Sequence, residues 1–212
     1  MSKLWIVGCS IAQGVGVNPQ ERWGELVGQH LGITPTFLTA EGSSIEWAAD
    51  QILQADITET DILFWGLTTP NRSLWYDDQG QPQHILNVYY HTHPDFHIDR
   101  RHLVDLNLAY KAVNHVRQVQ NYLSKIGCQW AIGSALPGLN DHKNIVVENL
   151  RNTANFFVAY DENSVKYVDT TTFFTRTRPV NNLFIDVGTD GFHPGPQQHR
   201  LYAEQFLKAL NL

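Results

Sequence analysis

The run KLWIVGC, residues 3–9, is uniformly apolar after its first residue and closes on the small residues Gly8 and Cys9. Its length suits a strand better than a helix, and the lack of polar alternation predicts a strand buried on both faces. Comparable runs follow at residues 36–39 (TFLT), 61–66 (DILFWG), 128–135 (CQWAIGSA) and 165–173, so five strands are predicted. Helical patterns separate them. Residues 19–31 place Trp23, Leu26, Val27 and Leu31 at helical spacing, with Pro19 near the start and Gly32 past the end. Residues 44–54 start at Ser44, a natural N-cap, and offer Trp47, Ala48 and Ile52 as an apolar face. Residues 102–126 repeat Leu106, Ala109, Tyr110, Val113, Val116 and Leu123 and close at Gly127, and residues 197–210 follow Pro194 and Pro196. Strands alternating with helices predict the α/β class, a parallel sheet covered on both faces. In such sheets ligands bind beyond the carboxyl ends of the strands.

The chain of 212 residues reads as a single domain over 1–212, with a long insertion at about 67–102 that is rich in Tyr, His, Asp and Pro. A formal charge of −6 without a basic cluster argues against a nucleic-acid partner. No apolar run approaches the ~20 residues that span a bilayer. Ile6-Val7-Gly8-Cys9 has the look of a lipoprotein cleavage box, yet position 9 leaves no room for a charged and a full apolar segment before it. The expectation is a cytoplasmic protein. Cys9 and Cys128 sit in strand-like runs, not at metal-ligand spacing, and are expected to be free thiols.

Two turns carry chemistry. Gly8-Cys9-Ser10-Ile11-Ala12-Gln13-Gly14-Val15-Gly16 places a serine straight after a buried strand among glycines. A tight turn there exposes a nucleophile and aims backbone N–H groups at the site. The Gly-Lys-Ser/Thr ending of a phosphate loop is missing. Near the other end stands Asp190-Gly191-Phe192-His193-Pro194. Pro194 fixes the backbone beside His193, and Asp190 is placed to hold one ring nitrogen and stabilise the imidazolium.

With these blocks the chain resembles the SGNH hydrolases, also called GDSL esterases or lipases. Their Gly-Asp-Ser block is similar to Gly8-Cys9-Ser10, with Gly14 behind, although Cys9 replaces the aspartate. Their Asp-x-x-His-Pro block matches Asp190 to Pro194 in full, and Glu41-Gly42-Ser43-Ser44 falls where a glycine N–H joins the oxyanion hole. The Gly-x-Asn-Asp block fails: Gly66 is in place, but Thr68 stands at the asparagine position and Asn71 comes three residues late. Gly138-Leu139-Asn140-Asp141 spells that block after the fourth strand, too late in order. Asn71 therefore ranks above Thr68 and Asn140 as the side-chain donor. The resemblance implies a three-layer α/β/α, flavodoxin-like five-stranded parallel sheet and a serine esterase with Ser10, His193 and Asp190 as triad. Gly42 and Asn71 would complete the oxyanion hole, an ester on a lipid, glycan or small molecule would be the substrate, and no cofactor or metal is implied.

Two other readings stay open. His91, His93, Asp95 and His97 alternate as divalent-metal ligands do, and the pattern resembles the metallo-β-lactamase His-x-His-x-Asp-His. Phe96 stands where its last histidine belongs, and Pro94 breaks strand geometry. A blander view makes this segment a polar lid. The altered third block also fits a non-catalytic binding module on the same fold. The aromatic residues Phe64, Trp65, Trp75, Tyr76, Tyr89 and Tyr90 read mostly as core or loop packing, and some of those from Trp75 to Tyr90, in the insertion, are candidates to line a substrate cleft.

Overall fold

The computed structural model describes residues 2–70, 72–76, 78–86, 105–134, 145–158 and 184–212. Seven strands occur among them: β1 (Leu4–Gly8), β2 (Pro35–Thr39), β3 (Ile62–Leu67), β4 (Arg72–Tyr76), β5 (Pro82–Leu86), β6 (Gln129–Ser134) and β7 (Phe156–Val158). Five of them form one parallel sheet in the order β2-β1-β3-β6-β7. The helices are α1 (Ser10–Gln13), α2 (Trp23–Leu31), α3 (Ile45–Gln54), α4 (Asp105–Ile126), α5 (Ile145–Leu150) and α6 (Pro196–Ala209).

Uniformly apolar strands are explained by two separate cores. Trp5 and Val7 of β1, Leu63, Trp65 and Leu67 of β3, and Trp130 and Ile132 of β6 pack with α3, α4 and α5. The alternate residues Leu4, Ile6, Ile62, Phe64 and Ala131 pack with α2 and α6 on the other face. The period of two is therefore present, with both faces apolar. Phe206 of α6 centres the second core. It stacks on Trp23 at 4.4 Å and meets Phe64 and Phe157 edge-on at 5.3 and 4.8 Å. Truncating such a residue to alanine typically costs about 3–5 kcal/mol.

At the carboxyl edge the register sets Gly8 opposite both Thr39 and Gly66. A Cβ on Gly8 would lie 2.7 Å from the Gly66 carbonyl oxygen and 2.9 Å from the Ala12 Cβ, so only glycine permits this approach. At the opposite edge, buried Asp61 accepts the Lys3 and Thr58 N–H groups and the Trp5 indole N–H, tying β1 to the start of β3.

Several expectations are corrected in detail. The helix expected over 19–31 is a separate 3₁₀ turn, Pro19–Glu21, followed by α2, because the turn carries its own Asn18/Glu21 capping box. Ser44 does cap α3, its Oγ accepting the Trp47 N–H, but the buried face is Ile45, Ala48, Ala49 and Ile52, with Trp47 half-buried. The insertion contains an antiparallel hairpin, β4 with β5, where no regular structure was expected. The fifth strand of the sheet is the short β7, while the predicted strand at 165–173 lies outside the described residues. Among the described residues no helix is long and apolar enough to cross a membrane.

His199 on α6 links the second core to the site. Its Nδ1 accepts the Trp23 N–H at 3.1 Å, which puts the ring proton on Nε2, and the ring is fully buried. Burial pushes its pKa down to about 4. The unfolded chain protonates this residue near 6.5 and the folded protein does not, so its contribution is complete above that pH and is lost as pH falls from 6.5 to about 4. Urea unfolding at pH 7 and pH 4 should show a loss of roughly 3 kcal/mol from this residue. His199→Gln, which keeps an acceptor for Trp23, should lack that loss; an unchanged pH slope in the variant would exclude His199 as its source.

Candidate active site

β1 ends at Gly8, and the chain passes through Cys9 into the single turn of α1, whose first residue is Ser10. Cys9, Ile11 and Ala12 are buried in the second core, which anchors the turn from below. Ser10 itself is only 5 % exposed, where the sequence suggested an open surface turn. The difference has a cause: the His193 ring covers it, with Nε2 at 2.9 Å from the Ser10 Oγ.

His193 is oriented from its other nitrogen. Its Nδ1 lies 2.5 Å from the Asp190 Oδ2, and the second carboxylate oxygen accepts the Phe192 and His193 N–H groups at 3.0 and 3.1 Å. Partial burial pushes the Asp190 pKa upward, but the His193 ring and these two N–H donors outweigh it and hold the carboxyl below its ordinary value. A carboxylate kept ionised against Nδ1 favours the tautomer with Nε2 free to accept the serine proton.

Residues that sequence reasoning passed over hold this loop in place. Asp186 accepts the N–H groups of Gln197 and Gln198, both at 2.8 Å, capping α6 from outside the helix. The Gly188 N–H donates to the His193 carbonyl at 2.8 Å, closing the loop on itself. The Thr189 N–H donates to the Gly16 carbonyl at 2.8 Å, and a Cβ on Gly16 would lie 2.9 Å from the Asp190 Oδ1. Gly16 was legible only as part of a glycine-rich turn. Asp186, ten residues before the helix it caps, carries no local signal.

The loop after β2 approaches the same edge. The Ala40 N–H donates to the Gly8 carbonyl at 3.4 Å and the Ser43 Oγ donates to the same carbonyl at 3.3 Å. Gly42 within this loop has φ +70°, the left-handed region that favours glycine. Its N–H and that of Ser10 have no hydrogen-bond acceptor among the described residues. Thr68 follows β3 two residues after Gly66, which pairs with Gly8, so Thr68 lies at the same carboxyl edge from which the chain enters Ser10. It is 6 % exposed, and its hydroxyl has no partner.

Asn71 and Asn140, the other side-chain candidates, lie outside the described residues, as do His91, His93, Asp95 and His97 and the aromatic residues Tyr89 and Tyr90. The side chain of Trp75 is likewise outside them. Phe64 and Trp65 are core residues, and Tyr76 is exposed.

The parallel sheet, its strand order and the helices on both faces define an α/β/α architecture. No family model matches the chain, and no curated protein matches its sequence. Solved structures do. A carbohydrate esterase family 2 enzyme plus carbohydrate-binding domain from Corynascus thermopiles (Myceliophthora fergusii) aligns with TM-score 0.53 and 13% identity, over 100% of this chain and 67% of that one. An acetyl xylan esterase from the rumen bacterium Butyrivibrio proteoclasticus aligns with TM-score 0.48 and 12% identity, over 96% of this chain and 62% of that one. The chain thus spans 62% of the length of the acetyl xylan esterase. At such identity the likeness is one of fold, a parallel sheet covered by helices.

Gly16→Ala tests the seating of the carboxylate, since the new methyl must displace Asp190 and adopt a φ of +87°. The expected outcome is a fall in turnover of a model ester by more than tenfold, with a stability loss of only about 1–3 kcal/mol. Turnover equal to that of the unsubstituted protein would separate Gly16 from the site.

Proposed function

We propose that this chain is a serine esterase that transfers an acyl group from a hydroxyl to water. The observation that carries the reading is the continuous relay from Asp190 through His193 to Ser10, with the Ser10 Oγ 2.9 Å from the ring. His193 Nε2 takes the hydroxyl proton as Ser10 attacks the ester carbonyl, and the carbonyl oxygen gathers negative charge. The same nitrogen then returns the proton to the departing alcohol, freeing the acyl-serine. Water repeats the sequence in the second half, with His193 as base, and releases the acid.

The oxyanion is held by the N–H groups of Ser10 and Gly42. As the third donor we assign Thr68 in place of the asparagine, because its hydroxyl is buried and without a partner among the described residues, just past the end of β3 beside β1. A buried hydroxyl without a partner costs stability, and a developing oxyanion gives it one. For the substrate we infer an ester on a carbohydrate. The structural relative with TM-score 0.53 is described as a carbohydrate esterase, and this supports that class over a lipid ester. The serine mechanism as written uses no cofactor.

Two measurements check the reading. Ser10→Ala should lower hydrolysis of 4-nitrophenyl acetate by about 10⁴-fold or more and abolish fluorophosphonate labelling, and His193→Ala should be comparably damaging. An alanine variant that still turned over at several per cent would remove Ser10 as nucleophile. Thr68→Val, which keeps shape and removes the hydroxyl, should lower kcat by about 10²-fold with KM little changed. If Asn71→Ala shows the larger kcat loss, the donor is Asn71 instead.

A further inference from the structure

A cleft of about 240 Å³ opens between the N-terminus of α3, the start of β4 and α4, with Glu46, Arg72, Lys111 and His115 in its wall. Neither Ser10 nor His193 lines it. Its charges are not balanced. Glu46 is the one acidic residue of the wall among the described residues, and its Oε1 lies 3.9 Å from the His115 Nε2. Arg72 donates from Nη1 to the Ser43 carbonyl at 3.3 Å, while its Nε is buried without a partner. Lys111 is exposed and makes no hydrogen bond or ion pair among the described residues. Arg22, elsewhere, also has a buried Nε without a partner, but its guanidinium pairs with the Glu25 carboxylate at 2.8 Å, which Arg72 lacks among the described residues.

In a chain with 21 acidic and 15 basic residues, two cations line one cleft and neither has a carboxylate partner among the described residues. A guanidinium offers a planar fork that fits a carboxylate, and an ammonium adds a point charge beside it. The cleft also touches the catalytic edge through protein bonds. Arg72 holds the Ser43 carbonyl, Ser43 holds the Gly8 carbonyl, and the Gly42 N–H lies one residue before Ser43. A group seated on Arg72 is therefore next to the loop that contributes to the oxyanion hole.

We propose that this cleft binds a carboxylate carried by the substrate near its scissile ester, as an acidic sugar would present it. Placing that carboxylate on the substrate rests on the reading of Ser10 as nucleophile; the binding of a carboxylate in the cleft does not. Lys111 is the residue to change, because it is exposed and unbonded, whereas replacing Arg72 would also release Ser43.

Calorimetric titration of the full chain with glucuronate, glucose and inorganic phosphate reads the cleft directly. Hydrolysis of acetylated methyl glucuronoside, acetylated methyl glucoside and 4-nitrophenyl acetate reads the site. Glucuronate should bind where glucose does not, and Lys111→Gln should weaken it about tenfold. The glucuronoside should be preferred over the glucoside about tenfold in kcat/KM, a preference reduced toward unity in the variant. Equal binding of glucuronate and glucose, a preference unchanged in Lys111→Gln, or phosphate binding tighter than glucuronate overturns the proposal. Hydrolysis of 4-nitrophenyl acetate without glucuronate binding is the failure of this inference alone. Glucuronate binding sensitive to Lys111→Gln, with no ester hydrolysed, supports the carboxylate site and fails the esterase reading.

Discussion

The backbone of Gly188 packs against the backbone of Gly16 so closely that a Cβ on Gly188 would lie 2.6 Å from the Gly16 carbonyl oxygen. This approach joins the turn after the first strand to the loop before the last helix, and the Thr189 N–H bond to the same carbonyl locks it. Without it the Asp190 carboxylate has no fixed seat, and His193 has no fixed distance to Ser10. Two glycines are needed because any side chain at either position would wedge the two segments apart. The loop is held from its other side by Asp186, whose carboxylate receives two N–H groups of α6. The relay is thus tied to β1 through Gly16 and to α6 through Asp186, and the buried packing of Phe206 and Trp23 keeps those elements together.

This arrangement divides the molecule by task. The sheet brings Ser10, Thr68 and the Gly42 loop to one edge, because Gly8 pairs with both Thr39 and Gly66 near the ends of their strands. The loops supply the chemistry and carry little of the core. Thr68 shows the tension between the two. Its buried hydroxyl has no partner among the described residues, a local cost that core packing would remove with a valine and that the proposed oxyanion role would explain.

Much of this was legible in the chain. Apolar runs at 3–9, 61–66 and 128–135 announced buried strands because both faces of the sheet are covered, and Ser44 announced a helix because its hydroxyl is a good cap. Ser10, His193 and Asp190 were legible from local turn chemistry. What escaped was either short or non-local. β7 has three residues and little pattern to read, and the β4–β5 hairpin sits in a segment whose polar composition masks its alternation. Gly188 and Asp186 matter through partners far away in sequence or across a loop, which no window along the chain contains. The ranking of Thr68 also needed burial, since an unpaired hydroxyl looks like any threonine until its surroundings are known.

The separation of 183 residues between Ser10 and His193 has a kinetic meaning. Ser10 follows β1 directly, and it meets the His193 ring only once the loop before α6 is seated. Contacts of such long range form late in folding, after shorter ones have repaid part of the entropy of closing the chain. A nascent or partly unfolded chain therefore presents an ordinary, unreactive serine. On the proposed reading, activation of Ser10 becomes a property of the finished molecule, and a covalent serine probe applied during refolding would report the last step of assembly and not the first.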